Sequence, residues 1–142
     1  MNEYKLADVE IGMEALFSRT ITLEMENAFR QITGDENPLH YDDEFAGSLM
    51  DGRFKNHVTF GMLTASLYST LAGCYLPGKY SLIHSINNLK LLKPVYAGDT
   101  LSVHGEVADV QEDLNLIIVK AYIKNDTGQY ISKATMKILV LA

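Results

Sequence analysis

The sequence has few of the residues that would suit it to an oxidising compartment. Cys74 is the only cysteine, so no disulfide can form within the chain. The N-terminal residues also lack the basic segment and apolar run that together mark a secretory signal. We therefore expect a cytoplasmic protein.

Basic residues are scarce as well, with 12 Lys and Arg against 18 Asp and Glu and a formal net charge of −6. No cluster of Lys or Arg could follow a phosphate backbone, which argues against nucleic acid as a partner. A length of 142 residues, 47% of them hydrophobic and 21% charged, is typical of a soluble globular protein. We expect one domain over residues 1–142.

One stretch, residues 58–78, contains no charged residue over a length that could cross a bilayer. Its several Ser and Thr hydroxyls, internal glycines and proline make its mean hydropathy modest for lipid. These features favour a helix buried inside a small protein over a membrane span. We predict that helix over residues 61–72.

A shorter helix is predicted before it. Thr22 can cap its start, and two glutamates follow in the first turn, where the helix dipole favours negative charge. Apolar residues then recur at helical spacing, and Gly34 is a natural stop. Residues 35–60 follow as an irregular loop, with one short helical turn expected near 43–46. A loop of this length in a compact domain is often functional.

Alternation of apolar and polar residues indicates strands in the second half of the chain. Residues 117–123 and 134–140 each predict a strand with one buried face, and two further strands are expected over 82–92 and 101–110. Read in order, these four strands form a meander, and residues 15–21 suit a strand before them. A sheet with one apolar face needs a cover. We expect the sheet to wrap around the uncharged helix.

The segment TGDENPLH, residues 33–40, carries the residues most suggestive of chemistry. A tight loop could turn Asp35 and His40 toward one point, where a carboxylate and an imidazole can take a proton from water and return one. Asn37 could orient either partner. From residue types alone an alternative stays open, because Asp and Asn commonly cap local turns and a single loop His is often structural.

The longer stretch TGDENPLHYDDEFA resembles the signature of the MaoC-like family, which includes the (R)-specific enoyl-CoA hydratases. That signature is Gly-Asp-x-Asn-Pro-aliphatic-His with a later Ala, and this chain has Gly34, Asp35, Asn37, Pro38, Leu39, His40 and Ala46 in those places. FGMLTASLYSTLAGCYLPGKYS and LKLLKPVYAGDTLSVHGEV extend the similarity over most of the chain. The resemblance implies an α+β hot-dog fold, a curved antiparallel sheet wrapped around a long central helix.

By this resemblance Asp35 and His40 are the catalytic pair and Asn37 supports them. The backbone N–H of Gly61 would bind the thioester carbonyl, because a helix N-terminus offers an unpaired N–H and a favourable dipole. Ser69 matches a serine that assists the site in some members, although packing on the helix face is an equal alternative. The implied reaction is syn hydration of a trans-2-enoyl thioester to the (R)-3-hydroxyacyl thioester, or the reverse dehydration.

The implied substrate is an acyl thioester of CoA or acyl carrier protein, and no cofactor is implied. The spacing of the four histidines matches no metal motif. His84 and His104 lie in strand patterns and are interpreted as packing or surface residues. The role of His57, in the loop before the central helix, is left undecided.

Two features depart from the family's pattern. Phe60 stands where many members have His, and an aromatic ring there could narrow the pocket or shield it from water. Residues 47–56 form a longer connection than usual, so we expect the mouth of the acyl pocket to differ.

Three functions compete at this point. The leading one is a hydratase/dehydratase, and the alternatives are a hot-dog acyl-CoA thioesterase and a non-catalytic acyl-thioester-binding protein. Because a single hot-dog sheet leaves an edge strand and a helix end exposed, at least a homodimer is expected.

Overall fold

The uncharged helix forms the axis of the fold. In the computed structural model, which describes all 142 residues, α-helical structure begins at Gly61 and a single π-helical stretch, Leu71–Tyr75, continues it. Both the helical part and the π-helical part contribute fully buried side chains, among them Tyr68 and Leu71, each 0% exposed. The predicted buried helix over 61–72 is therefore confirmed. None of the helices combines the length and the apolar character that a membrane span requires.

The chain forms five strands and three α-helices. The strands are β1 (Glu14–Thr20), β2 (Ser81–Leu91), β3 (Thr100–Gln111), β4 (Leu116–Lys124) and β5 (Tyr130–Val140). The helices are α1 (Leu23–Thr33), α2 (Asp43–Ser48) and α3 (Gly61–Thr70). All five strands pair antiparallel in one sheet, in the order β1-β3-β4-β5-β2.

The inner face of this sheet packs around α3. Alternate residues of β4, namely Ile117, Val119, Ala121 and Ile123, are at most 5% exposed, as the period-two pattern predicts. They join α3 and the other strands in one hydrophobic cluster. This is the α+β hot-dog arrangement predicted above.

The predicted meander is wrong in one place, because β2 does not pair with β3. It pairs with β5 instead, at the opposite end of the sheet from β1. Residues 92–99 connect β2 to β3 and are too many for a tight hairpin, whose loops usually have about 2–5 residues. The buried Val95 and its carbonyl, which accepts a hydrogen bond from Thr59 N–H at 2.8 Å, hold this connection across the fold.

The first helix follows the sequence prediction closely. The hydroxyl of Thr22 accepts a hydrogen bond from Met25 N–H at 3.1 Å, and Gly34 ends α1 with a φ of 69°. Such a left-handed conformation favours glycine. The short helical turn expected near 43–46 is α2, and Asp42 caps it.

Gly105 on β3 lies where the sheet packs closely against the buried helical segment. A Cβ atom built there would lie 2.7 Å from Leu71 Cδ2 and 3.2 Å from Val119 Cγ1. We expect Gly105→Ala to lower the free energy of unfolding by about 1–3 kcal/mol, because overpacked cores are strained. Urea unfolding measures this change.

Gly47→Ala is the matched control for that substitution. Its Cβ would lie 4.0 Å from the Phe54 carbonyl oxygen, and the residue lies within α2. Alanine should therefore leave stability equal or higher by about 0.5–1 kcal/mol. Equal stabilities of the wild type and Gly105→Ala would contradict the close packing described here.

Candidate active site

The end of α1 places Asp35. The Thr33 hydroxyl donates a hydrogen bond to the Phe29 carbonyl at 2.9 Å and accepts one from Asp35 N–H at 3.2 Å. Together with the left-handed Gly34, these bonds turn the chain sharply out of the helix. Asp35 is thereby positioned by a helix end and not by a free loop.

Asp35 and Asn37 then build the turn that carries His40. Asp35 Oδ1 accepts a hydrogen bond from Asn37 N–H at 3.1 Å, and Asn37 Oδ1 accepts one from Leu39 N–H at 3.1 Å. The local-capping alternative is thus correct for the Oδ1 atom of each side chain. Asp35 Oδ2 has no partner in the chain, so it remains available to a ligand.

His40 makes the hydrogen bond that defines its chemistry. Its Nδ1 lies 2.7 Å from the Val58 carbonyl oxygen. Because a carbonyl only accepts, Nδ1 must carry the proton and donate it. In the neutral ring Nε2 is then unprotonated, which is the state that a general base requires. Val58 N–H also donates to the Leu39 carbonyl at 2.9 Å, so two bonds join this segment to the His40 turn.

Gly61 begins α3 with an unpaired amide. Phe60 provides no side-chain cap, and the Gly61 N–H has no acceptor within the chain. A Cβ at this position would lie 2.6 Å from Leu91 Cδ1, so a larger residue would require the Leu91 side chain to move. The result is an accessible N–H at the positive end of a helix.

Asp35, His40 and Gly61 line one cavity of about 320 Å³, which we call the dyad cavity. A second cavity of about 270 Å³, the adjoining cavity, shares His40, Gly61 and Leu91 with it. The shared residues stand between the two. An elongated ligand held at Gly61 can therefore extend into both.

The two departures from the family's pattern both contribute to these cavity walls. The Phe60 ring lies 4.2 Å from the His40 ring and 5.2 Å from that of Phe29, centroid to centroid, and lines the dyad cavity. Phe54, within the segment 47–56, lines the adjoining cavity. The buried hydroxyl of Thr64 in the wall of that cavity has no partner within the chain.

The structure does not bring the other singled-out residues to this site. Ser69 is exposed on α3 and lines neither cavity. His84 is exposed on β2, and His104 on β3 stacks on Tyr122 with centroids 4.6 Å apart. No three side chains are arranged as metal ligands.

Sequence reasoning missed a set of polar contacts behind the site. Glu26 on α1 is only 3% exposed, and its two carboxylate oxygens accept hydrogen bonds from Thr59 Oγ1 at 2.8 Å and His57 Nε2 at 3.0 Å. His57 Nδ1 lies 2.5 Å from Asp43 Oδ1, which also accepts the His57 backbone N–H at 2.9 Å. We call these four residues the Glu26 network.

Both ring nitrogens of His57 face carboxylates, which favours the doubly protonated ring. Burial by itself lowers the pKa of His57, but the hydrogen bonds to Glu26 and Asp43 outweigh burial and raise it above the usual histidine value. The backbone and side-chain hydrogen bonds from His57 lower the pKa of Asp43. The undecided role of His57 is thus that of a cation between two anions.

A curved antiparallel sheet around a central helix is the fold of the hot-dog hydratases and dehydratases, and here the first residue of that helix lines the same cavity as Asp35 and His40. Residues 7–129 match the MaoC like domain family, and the chain belongs to that family. The family membership predicted from the sequence is confirmed.

Known relatives extend this assignment. The (R)-specific enoyl-CoA hydratase of Aeromonas caviae is 37% identical over 105 residues, which are 74% of this chain and 75% of that protein. The 3-hydroxybutyryl-CoA dehydratase of Methylorubrum extorquens is 32% identical over 103 residues, 72% of this chain and 63% of that protein. The chain thus spans less than two thirds of the second relative.

A solved structure gives the same result. The (R)-hydratase from A. caviae that is involved in PHA biosynthesis superposes with a TM-score of 0.86 at 30% identity. The alignment covers 93% of this chain and 97% of that chain. The shared fold extends over nearly the whole chain.

The shifted pKa values of His57 and Asp43 predict how the stability of the fold depends on pH. Because the folded pKa of His57 lies above 6.5, its contribution is complete below that pH and is lost as the pH rises through the folded pKa. Because the folded pKa of Asp43 lies below 3.8, its contribution is present above that pH and is lost as the pH falls through the lowered value. The pair therefore stabilises the fold most between these limits.

We expect His57→Gln to unfold at lower urea concentration than the wild type at about pH 6. The difference should shrink as the pH is raised toward about pH 9, because rising pH favours loss of the proton from the wild-type ring. The exposed His84→Gln serves as the control and should follow the wild type throughout. A difference that stays constant over this range would show that His57 is not charged in the folded state.

Proposed function

We propose that this protein is an (R)-specific enoyl-CoA hydratase, which adds water to trans-2-enoyl thioesters and catalyses the reverse dehydration of (R)-3-hydroxyacyl thioesters. One observation carries the proposal: a carboxylate, an imidazole with a free Nε2 and an unpaired helix N–H line the same cavity. A hydration needs these three groups. The relatives named above support the same reaction class.

The Asp35–His40 dyad transfers the protons of the reaction. A water held between Asp35 Oδ2 and His40 Nε2 gives up one proton to the dyad as its oxygen adds to C3. The dyad then returns one proton to C2, so its protonation state is restored after each turnover. Because both groups act from the same side of the double bond, the addition is syn.

The Gly61 amide stabilises the charge that this addition creates. As the oxygen adds to C3, negative charge develops on the thioester oxygen, and an N–H aimed at that oxygen lowers the barrier. One such donor is typically worth about 3–4 kcal/mol. Proton transfer and charge stabilisation account for each step, and we propose no cofactor.

The two cavities suit the two arms of a thioester. With the thioester carbonyl at Gly61, one arm occupies the dyad cavity and the other passes Leu91 into the adjoining cavity. A volume of about 270 Å³ limits how long an arm the adjoining cavity can hold. The carrier is CoA or acyl carrier protein, and the proposed location is the cytoplasm, where a lone thiol such as Cys74 stays reduced.

We expect the wild type to consume crotonyl-CoA, followed by loss of the conjugated enoyl absorbance. His40→Ala and Asp35→Asn should each lower kcat by about 10²–10⁴-fold, because each removes one proton-transfer group. His104→Ala, on the outer face of the sheet, is the matched histidine control and should keep the wild-type rate.

Equal rates for the wild type and both dyad variants would contradict the assigned roles. Release of free thiol from a saturated acyl-CoA, without hydration of the enoyl form, would indicate a thioesterase instead. Tight thioester binding without turnover of either kind would indicate a non-catalytic binding protein.

We also propose that the protein works as a homodimer joined along β2. The outer edge of β2 has no partner in the sheet, and Leu82 and Ile86 on this strand are 54% and 38% exposed. Met62 and Leu91, which line the dyad cavity, are also exposed, at 60% and 48%. A second copy placed against β2 would cover these apolar side chains and close the cavity.

Light scattering should give twice the chain mass of 15.8 kDa for the wild type. A double substitution, Leu82→Lys with Ile86→Lys, should give a monomer, because two charges would be buried at the interface. Leu16→Lys provides the control on β1, the opposite edge strand, and should remain dimeric. A wild type that scatters as a monomer would refute the dimer.

A further inference from the structure

Glu26 is the one charged side chain among the fully buried residues of the chain. Burying an ionised carboxylate is far less favourable than burying an apolar side chain of similar size, unless every oxygen is paired. Both oxygens of Glu26 are paired, to two residues of the same short segment. The contacts of this carboxylate therefore point to a role beyond packing.

The two partners of Glu26 stand on either side of Val58. His57 precedes it and Thr59 follows it, so one carboxylate holds the chain on both sides of the residue whose carbonyl accepts the Nδ1 proton of His40. Three further hydrogen bonds hold the same segment in place, from His57 N–H to Asp43, from Val58 N–H to Leu39 and from Thr59 N–H to Val95. The carbonyl of Val58 is thereby fixed in position and direction.

The contacts of Glu26 also bear on the segments that carry Gly61 and Asp35. Thr59 lies two residues before Gly61, so an anchored Thr59 also fixes where α3 begins. Glu26 itself lies on α1, the helix whose end places Asp35. One buried carboxylate thus ties together the segments that carry the carboxylate, the imidazole and the amide donor.

We propose that Glu26 is a positioning residue for His40, acting through His57, Thr59 and the carbonyl of Val58. This inference rests on the proposed hydratase function for its kinetic consequence, but not for its structural one. Without Glu26 the segment 57–59 relaxes, and Val58 no longer presents its carbonyl squarely to Nδ1. The His40 ring then rotates, or its proton moves from Nδ1 to Nε2. A protonated Nε2 has no free lone pair and cannot act as a base.

The expected kinetic effect falls on kcat. The cavity walls that hold the thioester keep their side chains, so KM should change less than twofold, whereas a misplacement of about 1 Å costs about 100-fold in rate. We therefore expect Glu26→Leu to lower kcat about 100-fold. Glu26→Gln should restore most of it, because its amide oxygen can face His57 while its NH2 donates to the Thr59 hydroxyl.

The control is Tyr68→Phe, which also removes one buried side-chain hydrogen bond, the 2.9 Å bond from the Tyr68 hydroxyl to Ser132. It lies in the core, away from the Val58 carbonyl, and should keep the wild-type kcat even where its melting temperature falls. If Glu26→Leu does not fold, Thr59→Val is the second variant, because it removes one donor to the carboxylate and leaves the His57 pair intact.

A measurement on the imidazole separates this inference from the proposed function. In ¹⁵N spectra of the four histidines, His40 of the wild type and of Tyr68→Phe should show a protonated Nδ1 and a free Nε2. Glu26→Leu and Thr59→Val should show a mixture of tautomers. Unchanged His40 signals in these variants would overturn the inference, whether or not the wild type hydrates crotonyl-CoA.

Discussion

The hydrogen bond between His40 Nδ1 and the Val58 carbonyl, 2.7 Å long, joins two segments that are otherwise distant in sequence. One segment leaves α1 through Gly34 and carries Asp35. The other leads directly into α3 and ends at the Gly61 amide. This bond sets the tautomer of His40 and, together with the bond from Val58 N–H to the Leu39 carbonyl, holds the two segments side by side. The base and the carbonyl-binding donor are thereby placed relative to each other. Rigid supporting contacts of this kind raise the rate of catalysis, because they hold the reacting groups in the correct geometry.

Sequence patterns predicted the helices and strands well, because burial imposes a period that each element repeats along its own length. The inner residues of β4 and the uncharged α3 are examples. The pairing of β2 with β5 was not predicted, since no local pattern records which strand lies beside an edge strand. That choice depends on how residues 92–99 cross the fold, which in turn depends on the buried Val95.

In the candidate site, too, some residues could be predicted from the sequence and others could not. Asp35, His40 and Gly61 were found because their residue types and order are distinctive. The Val58 carbonyl was missed because every residue has a carbonyl, and Glu26 was missed because a first-turn glutamate is explained equally well by the helix dipole. One signal was present: Glu26 shares a helix face, at spacings of three and seven, with Phe29 and Thr33, which both line the dyad cavity.

Two histidines near this site illustrate how environment assigns roles to identical side chains. His57 faces carboxylates at both nitrogens, which favours its protonated form, and in that form it has no free lone pair and serves as a structural cation. His40 donates from Nδ1 to a carbonyl, which selects the tautomer of the neutral ring that leaves Nε2 free. His57 thus joins Asp43, whose side chain is 65% exposed, to Glu26, whose side chain is 3% exposed. The ring of His57 is therefore fully engaged within the Glu26 network, whereas His40 lines the dyad cavity beside the exposed Asp35 with its Nε2 unpaired.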